Sequence, residues 1–264
     1  LHARIQTLYV KHFIEPQLSS LGTGFTFMKP WHVKIFGTPI HIGKCATMIA
    51  SSDNKIRLSV WSNNAAKGSI HMGDYGMICP GVRIGSADRI TIGAGSNIQD
   101  GTVIHVDDPN WGGLPTLIGE NVLVGHKCML HGATVHDGGF VGMGATMLDG
   151  SVVETGAMLA AGAFLSPKKV VPAGEMWAGM PAKKFRDLKE GEDKMALLGA
   201  AQYVEEARKH RDALAARMRA LEGRDFCPRL CDRFRRFDFD VVGSEPATPT
   251  TTSSKDPCHS LPMT

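Results

Sequence analysis

Aromatic residues are scarce in this chain, 7% of 264 residues with three tyrosines and four tryptophans, which suits a thin interior filled by aliphatic side chains. Charge of one sign is also lacking. A formal net charge of +3 and a pI near 8.5 are too mild to indicate nucleic acid, and no basic run with interleaved aromatics is present. No apolar stretch approaches the roughly 18 residues of a membrane span, so none is expected. The six cysteines (Cys45, Cys79, Cys128, Cys227, Cys231, Cys258) form no compact framework, which suits a reducing compartment. Cys227 and Cys231 have three residues between them and no second pair nearby, so zinc is not expected there. A cytoplasmic location is expected, or a mitochondrial one if a targeting segment precedes Leu1.

What the chain does have is a period of six. Met72, Ile78 and Ile84 form one aliphatic run, Ile92, Ile98 and Ile104 a second, and Ile118, Val124 and Leu130 a third. After a slip of one residue, Val135, Val141, Met147, Val153, Leu159 and Leu165 continue the series. A helix would place apolar residues three and four apart and an exposed strand would alternate by two, so neither fits. A hexapeptide period indicates an all-β fold, a parallel β-helix in which each hexapeptide is one face of a triangular coil of about 18 residues per turn. Gly or another small residue often follows the aliphatic one, as in Ile92-Gly93 and Val141-Gly142, where it permits a tight corner.

The repeat divides the chain. Residues 1–35 read as a lead-in and 36–170 as the coil, with a Pro/Gly-rich exit over 171–188 that contains Gly179-Met180-Pro181-Ala182-Lys183. Residues 189–222 place Ala200, Tyr203, Ala207, Leu214, Met218 and Leu221 at helical spacing and predict a C-terminal α-helix with an apolar face to pack. Residues 223–264 read as a tail; from Gly243 it is rich in Ser, Thr and Pro, a composition expected to stay disordered.

Within this frame three histidines carry geometry. His105 and His131 each follow an inward aliphatic residue, Ile104 and Leu130. Their 26-residue separation equals one coil of about 18 plus about 8 for the loop around Asp107-Asp108-Pro109-Asn110-Trp111. They are therefore expected on one face of neighbouring coils, about 4.8 Å apart, close enough to share a metal with bonds of about 2.0–2.1 Å. His126 projects from a different face and does not reach the same ion within its own chain. If three coils pack around a threefold axis, His126 of a neighbour can complete the site. A single surface histidine is usually only that, and it is the joint spacing that raises these three above the rest. His71, His136, His41, His32, His2, His12, His210 and His259 show no matching register, with His136 a weak candidate for a supporting contact. Asp149, in Leu148-Asp149-Gly150, reads as a corner residue.

The segments Asn97-Ile98-Gln99-Asp100-Gly101, Val103-Ile104-His105, Val124-Gly125-His126-Lys127-Cys128-Met129-Leu130-His131-Gly132 and Val141-Gly142-Met143-Gly144-Ala145 resemble the gamma-class carbonic anhydrase family in order and spacing. The resemblance covers about residues 90–215. It implies a left-handed β-helix, a homotrimer, and zinc (or iron or cobalt) held by His105 and His131 of one subunit and His126 of the next. It assigns Asn97 and Gln99 to the vicinity of the metal-bound solvent, and Tyr203 is similar to a tyrosine near the site. The implied reaction is reversible hydration of carbon dioxide to bicarbonate, a lyase activity, by a metal-bound hydroxide at a trimer interface. Three neutral ligands leave the metal enough charge to bring a bound water to a pKa of roughly 7. Asp107 or Asp108 is a candidate proton relay, although two acids in a polar loop are more often merely solvated.

The resemblance has one departure. The family usually carries an Arg-Gly-Asp turn about a dozen residues before the Asn-x-Gln-Asp segment; without gaps the matching positions are Ile84, Gly85 and Ser86, and Arg83 is one place off. The region from Phe25 to Ile92 is more similar to hexapeptide acyltransferases. Two further readings therefore stand beside the enzyme. One is a non-catalytic scaffold subunit of a larger assembly, similar to the carbonic-anhydrase-like subunits of respiratory complex I. The other is an acyl-coenzyme A transferase using His105 as base, which leaves His126 and His131 without a shared purpose.

Overall fold

The computed structural model describes residues 2–61 and 68–195, and beyond them residues 198, 199, 202, 205 and 209. All of these belong to one compact unit, Leu1–His210. Of the helix expected over 189–222, residues beyond 195 other than those five lie outside the described residues, and Tyr203 and the 223–264 tail lie wholly outside them.

The described residues form a left-handed parallel β-helix. Its strands make three sheets of eight, nine and seven, and apart from the last strand of the nine each sheet takes every third strand in chain order, which is the signature of a triangular coil. All fifteen aliphatic residues of the six-residue series are buried, none above 4% exposed. They stack in columns: Ile84, Ile104, Leu130, Met147 and Leu165 are successive register partners in one sheet. Ile78, Ile98, Val124, Val141 and Leu159 are the partners in the next. Burying such side chains stabilises by about 1.5–3 kcal/mol each, which drives the coil to close on itself. The slip has a structural location. Register partners Leu130 and Met147 are one residue closer in sequence than Met147 and Leu165, and the missing residue is at the corner just after His131.

The first turn of the coil lies earlier than residue 36. Ser20–Leu21, Thr26–Met28 and Val33–Phe36 are its three faces, and Ser20 and Leu21 already pair with His41 and Ile42. Ahead of them an α-helix, His2–Tyr9, runs into a wider turn, Val10–Ile14, whose Val10 and Ile14 cover the open end of the core. At the other end, Glu175–Ala178 turns back on Lys183–Asp187 in the antiparallel pair that closes the stack. No helix among the described residues is long and apolar enough to cross a membrane.

Candidate metal centre

His105 ends its strand's outward row in Val103–Val106, and His131 ends Met129–His131. The two are direct register partners, with ring centroids 5.2 Å apart and planes 25° from parallel. This is the arrangement the 26-residue spacing predicts, because the loop after His105 adds length without changing the rung to which the chain returns. Burial holds the pKa of His105 below its usual value, with a further contribution from His131 and an opposing one from Asp107. A neutral imidazole is the form that offers a lone pair to a cation.

Behind His131 is a residue that sequence reasoning placed only as a corner. Asp149 Oδ1 accepts from His131 Nδ1 at 2.8 Å. A carboxylate cannot donate, so Nδ1 carries a proton and, in the neutral ring, Nε2 keeps its lone pair. The shortened corner makes this contact. Gly132, at φ +54°, leaves open the space where a Cβ would collide with the Asp149 carboxylate, and Gly150 N–H donates to Gly132 O at 2.7 Å. His136, the expected supporting contact, is exposed beyond the neighbouring sheet's Val135.

The two acids of the loop are separated by their surroundings. Asp108 caps the short turn Pro109–Trp111, accepting from the Asn110 backbone at 2.8 Å and its side chain at 2.7 Å. Asp107 turns instead to the histidines, with Oδ1 3.7 Å from His105 Nδ1 and Oδ2 3.5 Å from His131 Nε2. Donor atoms of His105, Asp107 and His131 all lie within 4.8 Å of one another. Four ligands at bonds of about 2.0–2.1 Å stand roughly 3.4 Å apart, close to the two distances from Asp107 to the histidines.

His126 does not join that cluster. It sits at the corner between Leu123–Val124 and Met129–His131, half exposed, with Asp100 Oδ2 3.1 Å from its Nδ1. Asn97 and Gln99 belong to the same side as His126. Their strand, Asn97–Ile98, pairs with Leu123–Val124, and both side chains are buried, at 1% and 6% exposed. The Asn97 amide faces sulfur on both sides, Met77 Sδ and Cys79 Sγ, each at 3.8 Å.

No protein-family model matches the chain. Gamma carbonic anhydrase 2, mitochondrial, of Arabidopsis thaliana is 46% identical over 128 residues, 48% of this chain and 46% of the relative. With gamma carbonic anhydrases 1 and 3 of the same plant, it shows that the chain spans about half the length of the first curated relatives it matches. The Probable carbonic anhydrase of Methanocaldococcus jannaschii is 45% identical over 138 residues, 52% of this chain and 84% of that relative. The chain belongs to the gamma-class carbonic anhydrase family. Among solved structures, a hexapeptide transferase family protein from Anaplasma phagocytophilum is similar at 30% identity and a TM-score of 0.47, covering 74% of this chain and 98% of that one.

For a gamma-class carbonic anhydrase family member, the place of the missing arginine is informative. Ile84, its ungapped match, is 1% exposed and points into the core, where no arginine could be solvated. The outward position in the histidine column is Gly85, the register partner of His105. A Cβ on Gly85 would meet the Trp61 ring at 2.5 Å, so the glycine lets the indole lie across the column, 5.7 Å from the His105 ring. Trp61 gave no sequence signal, because its contact depends on a rung two turns earlier. Away from this site, His41 and His71 are direct partners, stacked at 4.6 Å and 12°, with Ser20 Oγ 2.9 Å from His41 Nδ1.

Proposed function

We propose that this chain is a metal-dependent carbonic anhydrase that interconverts carbon dioxide and bicarbonate. The observation that carries this reading is the in-register His105–His131 pair with Asp149 behind Nδ1 of His131. His105 and His131 of one subunit and His126 of the next would hold zinc, iron or cobalt in a homotrimer. When bound, such a cation supplies Lewis acidity, enough to ionise a water near neutral pH.

The chain's own residues do the rest. Asp149 fixes the tautomer and orientation of His131. Asp100 stands in the same relation to His126, at Nδ1, and so leaves the outer nitrogen of that ring directed away from its own chain. Buried amides on the His126 side, Asn97 and Gln99, supply hydrogen-bond donors that can orient the attacking oxygen. Trp61 gives the His105 side an apolar wall, suited to an uncharged substrate such as carbon dioxide. Tyr203 keeps its proposed place near the site, outside the described residues. The Arabidopsis relatives are mitochondrial by name, and that compartment is proposed here as well.

A scaffold role in a larger assembly is the second reading, favoured by one feature: an indole over Gly85 where the family usually has an arginine turn. Metal analysis of the size-separated oligomer followed by stopped-flow carbon dioxide hydration separates the two. About one metal per chain with hydration above a free-zinc control supports the enzyme. Metal with no hydration, together with co-purification in a larger complex, supports the scaffold. An oligomer without metal overturns the metal-centre reading.

A further inference from the structure

Asp107 is placed too far from the histidines for hydrogen bonding and at the right distance for sharing a cation with them. Its two oxygens face different imidazoles, at 3.7 Å and 3.5 Å. Direct hydrogen bonds would close to about 2.7–3.2 Å. The edge between two ligands of a four-coordinate ion is roughly 3.4 Å. The imidazole nitrogen that Oδ2 faces is Nε2 of His131, the one left bare by Asp149.

The loop holds this carboxylate in position. Asp107 follows directly on Val106, which is fully buried and in register with Ser86. Asp108 then caps the next turn, and Gly113 N–H donates back to Asp108 O at 3.2 Å, closing the loop on itself. Backbone fixed at both sides leaves the Asp107 side chain directed over the pair while half exposed to solvent.

We propose that Asp107 is a third metal ligand supplied by the chain itself. The single protomer then carries a two-histidine, one-carboxylate site that takes up a divalent cation without His126 of a neighbour. Such a set suits iron(II), cobalt(II) and manganese(II) as well as zinc. Arrival of the neighbour's His126 adds a ligand or displaces the carboxylate, and a displaced Asp107 is free to accept a proton at the mouth of the site. This inference rests on the metal-centre reading above.

The test is titration with cobalt(II) against a competing chelator, read by the visible absorption of the bound ion. It is applied to the full-length wild type, His126→Ala, Asp107→Asn and the double variant, each checked by circular dichroism and size. His126→Gln replaces His126→Ala should the latter not fold. The expected result is one cobalt(II) per chain in His126→Ala, bound more weakly than in wild type, and a further loss of at least about tenfold in the double variant. Asp107→Glu in the His126→Ala background should recover part of that loss. The proposal is overturned if His126→Ala binds no cobalt(II) while wild type does, or if the double variant binds as tightly as His126→Ala. A wild type that binds none removes the metal-centre reading itself, and this inference with it.

Discussion

At His131, the bond to Asp149 decides which nitrogen is available, and it forms beside the corner after His131 that is one residue shorter than its neighbours. Asp149→Asn should therefore weaken metal binding by about 10–100-fold while coil and oligomer survive, because no core residue changes. Gly132→Ala should give the same loss by a different route: its Cβ takes the space of the carboxylate and pushes it off the ring. Chelator competition on both variants checks this, and an Asp149→Asn protein with wild-type affinity would remove Asp149 from the site. His71 carries a second prediction at this scale. Burial first, then His41 and Arg89, lower its pKa below the usual 6.5. The unfolded chain then takes up this proton more readily than the folded one, so stability is full above about pH 6.5 and falls as pH drops through the lower folded value. Thermal melts from pH 8 to 5 should show that fall, and His71→Gln should flatten it. The spacing alone made His105 and His131 legible, since one loop of known length lay between them. His41 and His71 were not legible because the turn between them is longer than one regular coil, with an irregular insertion around Ser51–Asn54. Asp149 was hidden because its contact depends on the shortened corner, which no count of sixes places against a particular ring.

Strands and corners were readable wherever aliphatic residues fill the column, and the opening turn shows the limit. There the inward positions Leu21, Phe27 and Val33 are six apart like the rest, but one of them is aromatic and Phe25 stacks edge-on against Phe27 at 5.6 Å, so the column does not read as an aliphatic run. The closing element is held differently, by charge. Arg186 makes two parallel bonds to Glu192, Nη1–Oε2 at 2.6 Å and Nη2–Oε1 at 2.9 Å, and Lys184 reaches Glu175 at 2.9 Å. Arg186 first, then the Lys189 N–H, hold the Glu192 carboxyl down at about 2 against an ordinary 4.5. A depressed carboxyl contributes stability that is present above about pH 4.5 and lost as pH falls toward 2. Hydrogen exchange of Lys183–Asp187 should therefore quicken, relative to the coil, as pH is lowered through that window. In Glu192→Gln it should already be fast at pH 6. Equal protection in the two proteins at pH 6 would mean that the hairpin is held by its backbone pairing alone.

On the scale of the whole molecule, the three histidines divide between two surfaces of one protomer, and His126 does not join the pair within the folded chain. His105 and His131 lie in one column of one sheet, while His126 projects from the corner after another, with Asp100 on its inner nitrogen. A shared site thus predicts complementation between subunits. His131→Ala chains keep a good His126 but lack half of the pair; His126→Ala chains keep the pair but lack the neighbour's ligand. Each homotrimer should hydrate carbon dioxide poorly. Mixed, unfolded and reassembled in equal amounts, about a quarter of the interfaces combine an intact pair from one chain with an intact His126 from the next. Activity should therefore return to roughly that fraction of wild type. The His131→Ala, His105→Ala mixture is the control, since both lesions fall on the same side of every interface and no combination repairs it. Recovery in the first mixture but not in the second would identify the site as one built across the interface. Equal inactivity in both would overturn the shared site, whereas a His126→Ala homotrimer as active as wild type would confine the chemistry to a single protomer, with Asp107, not His126, as the residue beside the pair.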